Sequence, residues 1–461
     1  MELDKIRNIY FIGIGGIGMS GLARYFHAMG VNVAGYDRTE SELTRNLAAE
    51  GMQIHYTEDL SQIPANVDLV VYTPAVPVTH LEYVHFQQNG FNIMKRSQVL
   101  GMISRSKKCI AIAGTHGKTT TSTIVTHLLR TCGLDVTAFL GGISVNLASN
   151  FVIGQSNWVV VEADEFDRSF LQLSPDIEVI TSMDPDHLDI YGSEEEMQRA
   201  YVEFGERAKS GGKILLADQI EEAFKADFDG ENIALTTYGY RCGIYQSEHL
   251  KVEGGKMTFD FHSPKGSYSH LVFPLPGQHN VQNATAAIAI AQELGMEESG
   301  IREGLASFKG VHRRFEIVYQ SDTQVLVDDY AHHPKELEAA IAAMRLLYPE
   351  RTILGAFQPH LYSRTQDFAA GFAASLDMLD IAILLPIYPA RELPIPGVSS
   401  QMILDLMQSE NKHLVEREDL VAFIQAQEAD AMMILGAGDI DLLIPAVVNS
   451  LADAEHKKER K

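Results

Sequence analysis

Ala111-Ile-Ala-Gly-Thr-His-Gly-Lys-Thr-Thr-Thr121 is the stretch on which the fold turns. The apolar run Cys109 to Ala113 reads as a buried parallel strand, Gly114 to Lys118 as a tight loop, and Ser122 to Leu129 as an amphipathic helix opened by the threonine run. Strand, glycine loop, lysine, hydroxyl and helix in that order suit a polyphosphate. Glycines let backbone N–H groups approach phosphate oxygens, and a helix N-terminus adds partial positive charge. Lys118 can neutralise phosphates and the Thr119 hydroxyl can sit on Mg²⁺. The pattern G-x-x-x-x-G-K-[ST] is met except at Ile112, which occupies the first glycine position. A plain glycine-rich strand-to-helix turn would not explain a lysine and three hydroxyls crowded at one helix start.

The 461 residues exceed one core and predict two or three domains. A net charge of −24 argues against nucleic-acid or anionic-membrane partners. Cys109, Cys132 and Cys242 lack metal-type spacing and cannot pair completely, which predicts a reduced, cytoplasmic chain. Lys5 and Arg7 before an apolar run faintly imitate a signal peptide, but five glycines between Gly13 and Gly21 and no A-x-A site speak against one. No stretch reaches the ~18 apolar residues of a membrane span.

Upstream of the central stretch, Asn8–Ile12 is a strand running into Gly13-Ile-Gly15-Gly-Ile-Gly18, followed by a helix, Met19 to Met29. The strand Val31–Tyr36 ends in Asp37, about 20 residues past the glycines, where a dinucleotide fold places its ribose-binding acid. On these residues alone the domain could take NAD or another nucleotide diphosphate. Leu69–Tyr72 is a further strand, and Thr73 to Pro77 leaves its end as a rigid loop.

Downstream, Trp158–Val161 runs into Glu162-Ala-Asp-Glu-Phe-Asp167, and Val179–Ser182 into Met183-Asp-Pro-Asp-His187-Leu-Asp189. Both acidic clusters follow strands on the side of the phosphate loop. With Thr119, they make a plausible Mg²⁺ site, since that ion prefers hard oxygen ligands and completes its shell with water and phosphate. Lys213 to Phe273 reads as short strands and turns. Gly277-Gln-His-Asn280-Val-Gln-Asn283 leads into a helix, Ala284 to Leu294, with both asparagines on one face of the entry turn, where capping is the simpler role. After Gly310-Val-His-Arg313-Arg314-Phe-Glu316, four strands end in polar residues: Asp328-Asp329-Tyr-Ala-His332-His333, Gln358-Pro-His360, Pro386-Ile-Tyr388-Pro-Ala-Arg391, and Gly436-Ala-Gly438-Asp439. They predict a third α/β domain with a cleft at that edge. Zinc at His332 and His333 is disfavoured, because no cysteine or second close histidine pair accompanies them.

These motifs in this order closely resemble the ATP-dependent ligases that build the peptide stem of bacterial peptidoglycan, the Mur ligase family, across essentially the whole chain. The resemblance implies three α/β domains: a Rossmann-like UDP-sugar-binding domain (1–106), a central P-loop ATPase-like domain with a parallel sheet (107–311), and a C-terminal Rossmann-like α/β domain (312–461). Phe357-Gln-Pro-His360-Leu-Tyr-Ser-Arg364-Thr and Leu385-Pro-Ile-Tyr388-Pro-Ala-Arg391-Glu392 look like the branch that adds L-alanine to UDP-N-acetylmuramate. The alternative is the branch that attaches a recycled tripeptide to the same nucleotide sugar.

The resemblance reassigns Gly13, Gly15, Gly16, Ile17 and Gly18 from NAD to the UDP-sugar diphosphate, with Asp37 near the uridine. It gives Gly114, Thr115, His116, Gly117, Lys118, Thr119 and Thr120 to ATP, with Asn280, Asn283 and Arg314 also at the nucleotide. Thr119, Glu162 and His187 are implied as metal ligands, for Mg²⁺ with Mn²⁺ as a substitute. Lys118, Glu162, His187, Arg314 and Asp329 are implied in catalysis, and His360, Arg364 and Arg391 toward the incoming amino acid. Several relatives carry a carbamylated lysine on the helix after Asp-His-x-Asp. Met197 to Phe204 offers none, as in the alanine-adding branch, and the second metal's ligands stay open. A monomer or weak homodimer is expected, without nucleic acid or membrane insertion.

Overall fold

A computed structural model describes residues 3–390 and 392–459, apart from the side chains of Asp189 and 456–459. The chain divides into two compact units: residues up to 248 with 260–271 and 282–308, and residues 249–259 with 272–281 and everything from 309 onward.

The first unit carries one sheet of five strands and the parallel centre of a larger one. Five parallel strands stand in the order Gln53–His55, Asn32–Tyr36, Asn8–Ile12, Leu69–Tyr72, Ile93–Lys95. The order reverses beside Asn8–Ile12, and the loop leaving that strand is Gly13–Gly16. A larger sheet of ten strands has a parallel centre in the order Lys213–Ala217, Ile177–Ile180, Lys108–Ala113, Trp158–Glu162, Thr137–Ser144. Its order reverses between Lys108–Ala113 and Ile177–Ile180, so the phosphate-type loop and the Thr181–Asp184 segment meet at a switch point, where open α/β sheets place ligands.

The helix after the phosphate-type loop starts at Lys118, four residues before the sequence pattern placed it, and runs to Thr131. Threonine is a weak helix former because its side chain competes for backbone groups. Here that competition is resolved inside the helix: Thr123 Oγ1 donates to the Thr119 carbonyl (2.7 Å) and Thr126 Oγ1 to that of Ser122 (2.7 Å). Ten buried positions, Thr119–Val125 among them, then let packing override propensity. Similarly, the helix expected from Ala284 begins at Gln278, so Asn280 and Asn283 lie within its first two turns. Lys213–Phe273 is more regular than expected, with a helix at Glu221–Asp227.

In the second unit, Glu316–Gln320 pairs antiparallel with Val325–Asp329, and parallel strands follow in the order Ala431–Leu435, Ile353–Phe357, Ile381–Leu384, Lys412–Leu414. Two apolar layers cover the sheet, one around Leu337, Ile341, Met344 and Phe372, the other around Leu420, Ile440 and Val447. The strand ends at Asp329, Phe357 and Leu435 are aligned in register, which sets their loops at one edge.

One buried group opposes this packing. Glu178, mid-strand beside Ala111 and Ile214, is fully buried, and neither carboxylate oxygen has a hydrogen-bond partner. Burial raises its carboxyl well above 4.5. A group with a raised folded value stabilises the fold below its free value, and that contribution is lost as pH rises through the folded one. Glu178→Leu is therefore expected to raise stability at about pH 8 by about 1–3 kcal/mol, the cost of an unsatisfied buried polar group. Thermal unfolding of both proteins at acid and alkaline pH checks this. An unchanged or lower melting temperature at alkaline pH rules the account out.

Candidate active site

The first glycine loop is built on its own strand neighbours. Gly13 and Ile14 donate N–H bonds to the Tyr36 carbonyl (2.8 and 3.0 Å). Asp37 takes the Gly15 N–H through Oδ2 (2.7 Å) and the Thr39 N–H through Oδ1 (3.1 Å). The carboxylate that sequence placed toward a uridine thus also braces the loop. The helix Ile17–Ala28 starts at once, with Gly16 as its cap, and its first N–H groups have no partners within the helix. Gly13, Gly15, Gly16, Ile17, Gly18 and Asp37 therefore stand together around one helix N-terminus, a geometry that suits an anion.

The second loop is held by the strand that ends at Ile180. Thr115 N–H donates to the Ser182 carbonyl (3.3 Å), His116 N–H to Ser182 Oγ (2.9 Å), and Thr115 Oγ1 to the Asp184 carbonyl (2.7 Å). Thr181 Oγ1 donates to the carbonyls of Ala113 and His116. Gly117, at φ +79°, caps the helix, with Asn283 Oδ1 close against its α-carbon. Gly114 to Thr120 and Asn283 are brought together. Asn280 lies in the second unit, where its Nδ2 donates to the Pro276 carbonyl (2.6 Å).

Lys118 is folded back. Its Nζ donates to the carbonyls of Gly114 (2.6 Å) and Thr115 (3.1 Å) and to Glu165 Oε1 (2.9 Å). Burial alone would lower the ammonium's affinity for its proton, but Glu165, with Glu162 and Asp164 behind it, holds it above its ordinary value. Burial pushes the Glu165 carboxyl up to about 7, against the lowering pull of Lys118. Tyr191 fixes this residue by donating its hydroxyl to the Glu165 carbonyl (2.6 Å). Sequence quoted Glu165 inside its motif without a role; its pairing spans 47 positions and left no local signal.

Thr119 and Glu162 meet: the hydroxyl donates to Oε1 (3.1 Å), and Gly141 N–H donates to Oε2 (2.9 Å). A hydroxyl and a carboxylate at a helix start form a hard-oxygen donor set that fits Mg²⁺. Among the described residues no three His, Cys, Asp or Glu side chains group closely enough to hold a metal by themselves, so phosphate and water oxygens would complete the shell. His187, at φ 51°, caps the short helix Leu188–Tyr191, sets its ring edge-on to Phe166 (5.3 Å) and lies 3.7 Å from the Asp186 carboxylate.

In the second unit, Asp329 accepts N–H bonds from Phe315 (2.8 Å) and Ala331 (2.8 Å). Burial raises its carboxyl to about 6, while Arg314 draws it down. Arg314 lies 3.6 Å from Glu336 and over the Tyr330 ring (5.3 Å). His332 also reaches Glu336 (3.2 Å), and its ring faces that of His360 (6.4 Å), which stacks on Tyr388 (5.8 Å). Arg314, Asp329 and His360 therefore share one strand-end edge. Arg364 is buried in the first turn of the helix Tyr362–Leu376, just beyond His360. Arg391 lies outside the described residues. Glu336 and Tyr330 were not singled out in the sequence, and His332 was weighed only for zinc, although the i, i+4 spacing of His332 and Glu336 was legible.

Two anion cradles on one unit, one at a Rossmann-type switch point and one of phosphate-loop type, with a third domain of charged strand ends, define a nucleotide-dependent enzyme of modular build. Three family models match in sequence order: "Mur ligase family, catalytic domain" over 8–108, "Mur ligase middle domain" over 112–291 and "Mur ligase, glutamate ligase domain" over 313–438. The chain belongs to the Mur ligase family. It is 48% identical over 451 residues to the UDP-N-acetylmuramate–L-alanine ligase of Porphyromonas gingivalis (95% of this chain, 98% of that one). To the ligase of the same name in Flavobacterium johnsoniae it is 45% identical (98% and 99%). The crystal structure of UDP-N-acetylmuramate–alanine ligase from Thermotoga maritima superposes with a TM-score of 0.81 at 29% identity, covering 97% of this chain and 99% of that one. No helix among the described residues is long and apolar enough to cross a membrane.

Proposed function

We propose that the chain joins L-alanine to the lactyl carboxylate of UDP-N-acetylmuramate at the expense of ATP. The carboxylate attacks the γ-phosphorus, the β,γ-bridging oxygen leaves with ADP, and an acyl phosphate forms. The alanine nitrogen then attacks the acyl carbon, phosphate leaves, and the amine's surplus protons pass to solvent. The observation that carries this reading is the pair of anion cradles on one compact unit, in a chain related over nearly its whole length to ligases of that name.

The first step brings two anions together, so cationic charge must offset their repulsion. Lys118, released from Glu165, would supply it at the γ-phosphate, and the helix N-termini behind Gly16 and Gly117 would supply the rest. Thr119 and Glu162, with His187 nearby, would hold Mg²⁺, which when bound neutralises phosphate charge. Arg314, Asp329, His360, Arg364 and Arg391 would serve the nucleotide and the incoming amino acid, and Asp37 the uridine. We assign 1–106 to the sugar nucleotide, 107–311 to ATP and 312–461 to the amino acid, in a cytoplasmic monomer or weak homodimer.

An ADP-release assay with UDP-N-acetylmuramate and a panel of L-alanine, glycine, L-serine and the murein tripeptide tests the reading. The expected result is release strongest with L-alanine and none beyond background with the tripeptide. Preference for the tripeptide would move the chain to the recycling branch, and release with no amine in the panel would overturn the assignment.

A further inference from the structure

The segment Asp164–Arg168 touches both cradles. Arg96, at the end of the first sheet, pairs with Asp164 (3.2 Å), and its guanidinium packs so closely on Gly18 that a Cβ there would lie 2.8 Å from Nη1. The next residue, Glu165, pairs with Lys118 of the phosphate-type loop (2.8 Å). Two residues on, Asp167 pairs with Lys95 (2.8 Å). Two adjacent acids on one backbone therefore hold one cation packed on the first glycine loop, Arg96, and one within the second, Lys118.

That backbone is poised rather than relaxed. Asp167 (φ 54°) and Arg168 (φ 53°) are consecutive non-glycine residues in the left-handed region, which L side chains seldom occupy and which surrounding contacts must enforce. Arg168 is held over the Tyr191 ring (5.0 Å), and Tyr191 holds the Glu165 carbonyl. All three ammonium protons of Lys118 are engaged, two by its own loop and one by Glu165. A polyphosphate can gain Lys118 only by displacing one of them, and Glu165 is the partner outside the loop. Likewise an anion over Gly18 competes with Asp164 for Arg96.

We infer that residues 164–168 form a strap coupling the two cradles, so that an anion in either one loosens the hold on the cation of the other. The inference rests on the reading above, in which the first cradle takes the UDP-sugar and the second ATP. Breaking one tie frees the shared backbone to move and weakens the next tie. The coupling is positive, and linkage makes it reciprocal.

Calorimetric titration of the full chain tests it. UDP-N-acetylmuramate and a non-hydrolysable ATP analogue are each titrated alone and with the other saturating. Wild type is expected to bind each about tenfold more tightly when the other is present, by the same factor in both orders. Asp164→Asn is expected to bring the factor to about one, and Asp164→Glu, which keeps the charge, to restore most of it. Asp167→Asn, suited to the left-handed backbone, removes only the Lys95 tie and should leave a factor of about threefold. A merely structural acid would shift both affinities without changing their ratio. Binding of both ligands with no coupling in wild type, or full coupling in Asp164→Asn, overturns the strap alone. No binding of UDP-N-acetylmuramate overturns the functional reading and the strap with it.

Discussion

Lys118→Ala is expected to lower L-alanine-dependent ADP release by about 10³-fold or more, the scale of removing a preorganised charge from a phosphoryl-transfer site. The chain should still fold, because the acid left behind can become neutral. Glu165 already sits at about 7 with its cation present. Without Lys118 the pull that lowers it is gone and the carboxyl rises further. Its stabilising contribution is present below the free value of 4.5 and is lost as pH rises through the folded value. Above about pH 7, where wild type's loss through this group is complete, the variant's melting temperature should therefore go on falling, and Glu165→Gln in the same background should remove the excess. Near-normal turnover in Lys118→Ala would take the phosphate-type loop out of the mechanism. A melting curve that ignores pH would break the pairing argument.

Gly114→Ala is expected to be as severe through the backbone alone. Gly114 sits at φ +129°, and a Cβ built there would meet Thr181 Oγ1 at 2.0 Å and the Ser182 nitrogen at 2.8 Å. The side chain in the way cannot simply rotate, since Thr181 Oγ1 donates to the carbonyls that close the loop. Backbone strain of about 1–3 kcal/mol and overpacking of about 1–3 kcal/mol together predict a loss of roughly 2–6 kcal/mol. Nucleotide affinity should fall with it. Thermal unfolding and titration with an ATP analogue measure both. A variant matching wild type in each would mean that this loop does not need its glycine.

The strands were legible because each is a short apolar run ended by polar or glycine residues. Asn8–Ile12, Leu69–Tyr72 and Trp158–Glu162 read correctly to within a residue, as did the third-sheet strands before Gln358, Pro386 and Gly436, while the strand expected to end before Asp328 runs on through Asp329. Helix starts read less well. The threonine run was read as only opening a helix from Ser122, whereas the helix already includes Lys118–Thr121, because propensity reports what a residue does in water and not what burial of its hydroxyls against its own turn allows. The helix at Glu221–Asp227 was missed: only Phe224 is buried, so its apolar face is one residue wide.

The site divides along the same line. Chain order alone collected both glycine loops, the acids after their strands and the histidines and arginines of the third domain, because α/β sheets carry such residues at strand ends. It could not show what those side chains do with one another. Glu165 on Lys118, Arg96 between Gly18 and Asp164, Lys95 on Asp167 and Glu178 without a partner depend on separations of tens of residues. The sequence by itself determined which groups are present and at which sheet edge each emerges, since strand period and glycine spacing are local properties. Only the tertiary structure decided which charges neutralise which, because an ion pair is set by distance and burial across the fold, and neither is written in the neighbours of a residue.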